Sequence, residues 1–356
     1  MAQQSGTRKR KNVTAKGRGK GSLVAHVVRL VFEALVWTAE RLRGVVRPQP
    51  REGRLGQYTV HEKIGEGGMG VVFRATHARS LRPAAIKLLA PGKGSREHVE
   101  RFEREAELTS RLSHPNTVTV YELGHTASGA PFYAMEYLDG LDLEELVDRH
   151  GPQDPRRVAS LLAQLAGALA EAHELGLVHR DVKPANVMLC ERGGVHDVVK
   201  VLDFGLTKEL GSSRLDASGD DRLVGTPLYL APESILMPER VDARSDLYAV
   251  GALGYFLLTG APPFVGQSVA EVCAHHLHSV PLPPSSQGVR AIPPELETLI
   301  LRCLAKSPDD RPESAAALRT ALLELGSRWT ERDAGDWWAR HRGGASFAQA
   351  QLRHAA

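Results

Sequence analysis

The stretch IGEGGMGVVFRATH, residues 64–77, decides the fold. It carries G-x-G-x-x-G at Gly65, Gly67 and Gly70. Two phosphate-binding devices share that spacing. In one, a helix begins at the third glycine so that its N-terminus meets a pyrophosphate. In the other, a glycine hairpin lets backbone lie close over phosphates. Here Val71, Val72 and Phe73 follow the third glycine, and Arg74-Ala75-Thr76-His77 continues without a helical pattern. Those apolar residues favour strand. Upstream, YTVHEKI also reads as a strand, and after the polar turn HARSLRP comes a third, AAIKLL. The glycines therefore join two strands, and the hairpin device is the one that fits.

The third strand holds Lys87 between Ile86 and Leu88. A lysine in such a strand is costly without anionic partners. The helical period of SREHVERFEREAELTSRLSH, residues 95–114, offers three: Glu103, Glu105 and Glu107. Spacing alone does not choose among them.

Further along, a long apolar-striped helix at about 156–175 precedes VHRDVKPANVML, residues 178–189. A strand then enters an Asp-Phe-Gly turn in VKVLDFGLTK, residues 199–208. GTPLYLAPE at 225–233 and SDLYAVG at 245–251 complete the order. Each motif alone is weak, but the ordered set closely resembles the eukaryotic-like serine/threonine protein kinases of bacteria, over roughly residues 58–325. The resemblance implies an α+β, bilobal fold. Its N-lobe would be an antiparallel sheet with one helix over residues 58–138, including the hinge. A mainly helical C-lobe would follow over 139–325.

The resemblance also implies roles. Gly65, Gly67 and Gly70 would form a lid over the phosphates of ATP. Ile64, Val72 and Ala85 would line the adenine site from above and Met188 from below. Lys87 would hold the α- and β-phosphates and pair with Glu105, which the FEREA context selects. MEYLDG would be the hinge, with Met135 as gatekeeper and the backbones of Glu136 and Leu138 bonding the adenine edge. Asp181 would be the base for the substrate hydroxyl, and Lys183 would touch the transferred phosphate. Asn186 and Asp203 would hold Mg²⁺, with Mn²⁺ as an alternative. These residue types suit the chemistry, because phosphoryl transfer depends on positioning and on stabilising charge on oxygens, and Mg²⁺ prefers hard oxygen ligands. Lys183 and Thr226 resemble the serine/threonine branch, so the implied substrates are protein Ser/Thr hydroxyls.

Other motif residues read as structural. His179 would brace the catalytic loop, Asp246 would cap it, and Glu233 would pair with Arg311. In the activation segment, the family's phosphorylated residue pairs with the arginine before the catalytic Asp, here Arg180. Asp220 and Asp221 lie in that region, either as a partial acidic substitute for the phosphate or as a solvated loop. His275, His276 and His278 in AHHLH have no carboxylate or thiol alongside and read as a helix face.

Composition narrows the classes further. With 42% hydrophobic and 24% charged residues, the chain is neither disordered nor a multi-span membrane protein. The net charge of +3 conceals an asymmetry, because residues 1–56 carry 13 Lys/Arg against 3 Asp/Glu. The basic excess is therefore a leader and not a folded face, so no specific nucleic-acid partner is expected. Cys190, Cys273 and Cys303 form no C-x-x-C pair, which fits a reducing, cytoplasmic setting. Residues 1–22 read as a basic disordered tail, 23–46 as an amphipathic helix and 47–57 as a linker. Arg29 and Glu33 interrupt the helix's apolar run, so it does not read as a span. Contact with a protein, or peripheral contact with the inner face of a membrane, fits residues 1–46. Residues 326–356 form a partly helical tail in which Trp329, Trp337 and Trp338 are expected to seek burial. The alternative class is a pseudokinase-like signalling scaffold, which loss of Lys87, Asp181, Asn186 or Asp203 would have favoured. All four are present.

Overall fold

The computed structural model of the chain describes residues 53–66, 70–90, 95–204, 227–288, 291–326 and 328–341. The expected basic tail, the 23–46 helix and most of the 47–57 linker lie outside these residues, as do Gly67, Asp220, Asp221 and Thr226.

The upper lobe is a six-stranded antiparallel sheet in the order β1-β2-β3-β4-β6-β5. Its strands are β1 (Arg54–Leu55), β2 (Tyr58–Glu66), β3 (Gly70–His77), β4 (Pro83–Leu89), β5 (Val120–His125) and β6 (Pro131–Glu136). The expected linker ends sooner than 57, since Arg54 and Leu55 pair with Thr59 and Tyr58 across a turn at Gly56. No helix follows the glycines: β2 runs to Glu66 and pairs with β3 from Val71 onward. Gly70 is required where it stands. A Cβ there would lie 2.8 Å from the Leu88 carbonyl oxygen and 3.2 Å from Lys87 Cγ.

The sheet separates two apolar clusters, as period-2 side chains demand. One contains Tyr58, Val60, Phe73, Ala84, Ile86 and Phe132. The other, on the face toward helix α1 (Arg96–Ser110) and the cleft, contains Ile64, Ala85, Phe102, Tyr133, Met135 and Met188. Ser95 caps α1 by accepting from the His98 amide.

The lower lobe begins with β7 (Gly140–Asp142) and α2 (Leu143–His150). Helix α3 (Pro155–Glu174) starts on an Asp154 cap with proline in its first turn, an arrangement suited to helix entry. Strands β8 (Val187–Arg192) and β9 (Val195–Val201) join β7 in a small sheet. The helices α4 (Pro232–Leu236), α5 (Ala243–Thr259), α6 (Val269–His278), α7 (Pro294–Cys303), α8 (Ala315–Glu324) and α9 (Glu331–His341) follow. Helix α5 is buried almost all round and stops at Gly260, whose φ of 82° suits glycine.

One buried carboxylate of this lobe gathers the tail, whose Glu331 also meets His196. Asp197, in the left-handed region at φ 55°, is buried in β9. It accepts two hydrogen bonds from Arg157 of α3, at 2.8 and 2.6 Å, one from Trp329 Nε1 at 2.9 Å and one from Trp338 Nε1 at 2.7 Å. The Arg157 guanidinium also lies 3.8 Å from the Trp337 ring centroid. Burial of the tryptophans is thus directed as well as apolar. Asp197→Ala would leave Arg157 charged and unpaired, at a cost of about 3–5 kcal/mol. Trp338→Phe, which removes one donor to a charged acceptor, should cost about 1.5–3 kcal/mol. Urea unfolding of the three proteins checks both the size and the order.

Candidate active site

The cleft between the lobes is built around Lys87. Strand β4 pairs Lys87 with Tyr133 of β6 and Val72 of β3. Its ammonium reaches Glu105 Oε1 of α1 at 2.8 Å and Asp203 Oδ2 at 2.7 Å. Of the three glutamates that spacing left open, Glu105 is the partner; Glu103 meets His125 and Glu107 meets Arg111. The helical stripe carries a signal for this choice, since Phe102, Glu105, Ala106 and Thr109 share the buried face of α1. Tyr133, which the sequence reading did not single out, donates from its hydroxyl to Glu105 Oε1 at 3.2 Å and to Asp203 Oδ1 at 3.4 Å. Its signal was period 2, which puts it on the face of Met135.

Electrostatics keep this group charged. Burial works against the Lys87 ammonium, but Asp203, Tyr133 and Glu105 outweigh it and hold its pKa well above the usual lysine range. Burial also works against the Asp203 carboxylate, and Lys87 pulls its pKa below the ordinary value. Burial raises Glu105 against the pull of Lys87. The site therefore has one cation shared by two acids, one from each lobe.

Below the cleft, the catalytic loop hangs from Asp246 of α5. Asp246 Oδ2 accepts from the His179 amide and Oδ1 from the Arg180 amide, each at 2.8 Å, and His173 Nε2 lies 2.8 Å from Oδ2. These bonds fix Arg180 at φ 62°, a conformation unfavourable for a long side chain. His179 is fully buried; its Nδ1 accepts from the Asp181 amide at 3.2 Å, so Nε2 donates to the Leu202 carbonyl at 3.2 Å. It thereby ties Asp181 to the residue before Asp203, and its ring lies 4.7 Å from that of Phe204. Asp181 Oδ2 lies 3.1 Å from Lys183 Nζ and accepts from Asn186 Nδ2 at 3.0 Å. Arg180 Nε is buried without a hydrogen-bond partner among the described residues.

The expected adenine lining is contiguous: Ile64, Val72, Ala85, Met135, Leu138 and Met188 belong to one apolar cluster. Gly65 borders it, and a Cβ there would make only ordinary contact with Val72. The Glu136 amide donates to the Thr119 carbonyl at 2.9 Å. The Glu136 side chain makes a second network absent from the sequence reading. It accepts from the Thr119 amide at 2.9 Å and from Lys200 Nζ at 2.6 Å, and it also pairs with Arg192. Burial, with Arg192 beside it, brings Lys200 down to about 8.

Oxygen donors suited to a divalent cation are also present. The Asp203 carboxylate is partly open to the cleft, and Asn186 commits its Nδ2 to Asp181, leaving Oδ1 as an acceptor. Among the described residues no cluster of three His, Cys, Asp or Glu could hold a metal by itself. One carboxylate and one amide oxygen, completed by phosphate and water, suit Mg²⁺ better than a protein cage would.

A lobe of helices hung from an antiparallel sheet, with this ion triad at the seam, defines a protein kinase domain. Residues 58–323 match that family's model, and the chain belongs to it. Members of the family use ATP and a divalent metal. The chain is similar to the serine/threonine-protein kinase pkn3 of Myxococcus xanthus, at 43% identity over 271 residues, covering 75% of this chain and 49% of that protein. It is also similar to PknB of Mycolicibacterium smegmatis, at 39% identity over 273 residues, covering 76% and 43%. It thus spans about half the length of these curated relatives. Among solved structures, the Mycobacterium tuberculosis PknI kinase domain aligns with TM-score 0.57 and 31% identity, covering 77% of this chain and 98% of that one.

Glu233 and Arg311 form a bidentate pair at 2.6 and 2.8 Å, with Ser245 donating to Glu233 at 2.6 Å. Burial would raise the Glu233 pKa, but the Arg311 and Ser245 hydrogen bonds bring it below the ordinary 4.5. The pair's stabilisation is therefore complete above that unfolded value and is lost as pH falls through the lower folded one. Glu233→Gln should destabilise by about 3 kcal/mol at neutral pH, and the gap to wild type should narrow below pH 4.5. Thermal melts across the acid range check the sign.

Proposed function

We propose that the chain is an active serine/threonine protein kinase, transferring the γ-phosphoryl group of ATP to hydroxyls of protein substrates with Mg²⁺, and that it phosphorylates itself. One observation carries the reading: Lys87, Glu105 and Asp203 meet within 2.8 Å although they come from β4, α1 and the turn after β9. A binding scaffold has no need of a shared buried ammonium beside a carboxylate-bearing catalytic loop. The names of the relatives support the same chemistry.

In this reading Lys87 binds the α- and β-phosphates while Glu105 and Tyr133 fix its position. Asp181 orients the acceptor hydroxyl and takes its proton, held in place by Asn186 and Lys183. Lys183 lies close enough to this carboxylate to meet the phosphoryl group as it transfers. A divalent metal held by Asn186 and Asp203, with Mn²⁺ accepted beside Mg²⁺, supplies charge neutralisation at phosphate oxygens. Arg180, whose buried Nε has no hydrogen-bond partner among the described residues, receives an acidic or phosphorylated group of the activation segment. The apolar lining from Ile64 to Met188 excludes water and takes the adenine ring.

Incubation with labelled ATP and Mg²⁺ tests this. Wild type should label itself, and Asp203→Asn and Asp181→Asn should each reduce the rate at least about 100-fold. Undiminished labelling in Asp203→Asn contradicts the metal role.

The kinase reading puts the catalytic unit in the cytoplasm, where ATP is. Among the described residues no helix is long and apolar enough to cross a membrane. The basic residues 1–46 remain a contact for a protein partner or for anionic lipid at the membrane's inner face. Flotation with phosphatidylglycerol vesicles separates the two. Binding at low salt that is lost at high salt marks lipid, and no binding at low salt retires the lipid reading.

A further inference from the structure

We propose that Tyr133 is a positioning residue for the metal ligand Asp203: its hydroxyl is the hold on that carboxylate that remains when Lys87 turns to phosphate. The proposal rests on the kinase reading, which supplies the phosphate and the metal.

Strand β6 brings Tyr133 into register with Lys87 of β4, and the residue is only 3% exposed. Its ring packs on Phe102 of α1 with centroids 5.2 Å apart, and Lys87 Nζ lies 5.6 Å from the ring centroid. These contacts put the hydroxyl between two acids, 3.2 Å from Glu105 Oε1 and 3.4 Å from Asp203 Oδ1. Burial, with Asp203 beside it, holds the phenol pKa well above the usual tyrosine range. The hydroxyl therefore keeps its proton and is the donor in both contacts.

The donors and acceptors can be counted. Lys87 donates to Glu105 Oε1 and to Asp203 Oδ2. Tyr133 faces the same Glu105 oxygen and the other Asp203 oxygen. A phenol has a single proton, and both distances exceed the roughly 2.7–2.8 Å usual for an O–H···O bond. The proton is thus shared between the acids and committed to neither. The hydroxyl can tighten on either one without leaving its place.

That freedom matters because Lys87 cannot serve phosphate and keep every partner it has. The group opens to the cleft at Asp203, whose side chain is 39% exposed, against 8% for Lys87 and 5% for Glu105. Among the described residues, Lys87 and Tyr133 are the hydrogen-bond donors to the Asp203 carboxylate. When Lys87 donates to phosphate, the Tyr133 hydroxyl is the one of these two that stays. The two carboxylates also repel each other, and a donor between them opposes the swing of Asp203 away from Glu105. Tyr133 is buried behind the acids, so it acts on the metal through Asp203 and does not touch it.

Tyr133→Phe removes the hydroxyl and keeps the ring on Phe102. The measurement is the Kd of a non-hydrolysable ATP analogue for the full-length protein, by calorimetry, without Mg²⁺ and with saturating Mg²⁺. The ratio of the two constants is the coupling between metal and nucleotide. In Tyr133→Phe this ratio should fall about five-fold or more. A hydroxyl that served Lys87 alone would change both constants alike and leave the ratio intact. Tyr133→Leu, which removes the ring as well, should lower the ratio by at least as much. Hydrogen exchange of the loaded complexes should be faster at the amides of residues 202–204 in Tyr133→Phe than in wild type. A ratio unchanged or raised in Tyr133→Phe, a ratio lowered only in Tyr133→Leu, or equal exchange at these amides overturns the proposal and leaves the kinase reading standing. A wild type that binds no analogue, or binds it equally with and without Mg²⁺, overturns the metal role of Asp203 and the proposal with it.

Discussion

One ammonium group joins the two lobes. Lys87 lies in an apolar strand and is almost wholly removed from water, a position that a lone charge could not hold. It is stable there because Glu105 approaches from α1 and Asp203 from the far lobe, with Tyr133 bridging the two acids. Removing any member leaves the others charged and underpartnered. The chain therefore ties the pose of α1, the upper sheet and the Asp-Phe-Gly turn to one another. In the proposed function a triphosphate entering this space would compete with Asp203 for Lys87, so the arrangement is suited to rearrange on binding as well as to hold its shape.

A similar economy governs the lower lobe, where single buried carboxylates organise whole segments. Asp246 fixes the catalytic loop by accepting two successive amides, which imposes the left-handed conformation on Arg180. Asp197 gathers Arg157 and two indoles, and so brings a tail beyond the matched family segment into the core. Glu233 does the same for Arg311, whose other donors reach the Ala305, Arg244 and Lys306 carbonyls. Each is a buried acid with its lone pairs occupied, the condition under which burying charge is tolerable.

The bilobal fold was legible because its signals are local. Three β-forming residues after Gly70 excluded a helix, and the apolar stripe at about 156–175 marked α3. The catalytic loop and Asp-Phe-Gly turn were legible as an ordered set of motifs. Glu105 was only partly so, because Glu103 and Glu107 share its helix and the deciding feature is which face is buried. Tyr133, Lys200 with Glu136 and the Asp197 clamp were not read at all. Each joins residues brought together by packing between separate elements; Tyr133 had only the period of its strand to mark it, and the others have no spacing that marks them. The strand at Arg54–Leu55 was missed for a related reason: two residues among glycine and charge carry too little pattern to distinguish an edge strand from a linker.

The central claim is that Lys87, Glu105 and Asp203 form the triphosphate site and its metal anchor. A crystal structure with a non-hydrolysable ATP analogue and Mg²⁺ addresses it most directly. The account predicts that Lys87 keeps Glu105 and gives up Asp203 for phosphate oxygens, while Asp203 turns to the metal. Nucleotide bound away from Lys87, or bound with the Lys87–Asp203 pair intact and no metal between protein and phosphate, would contradict it.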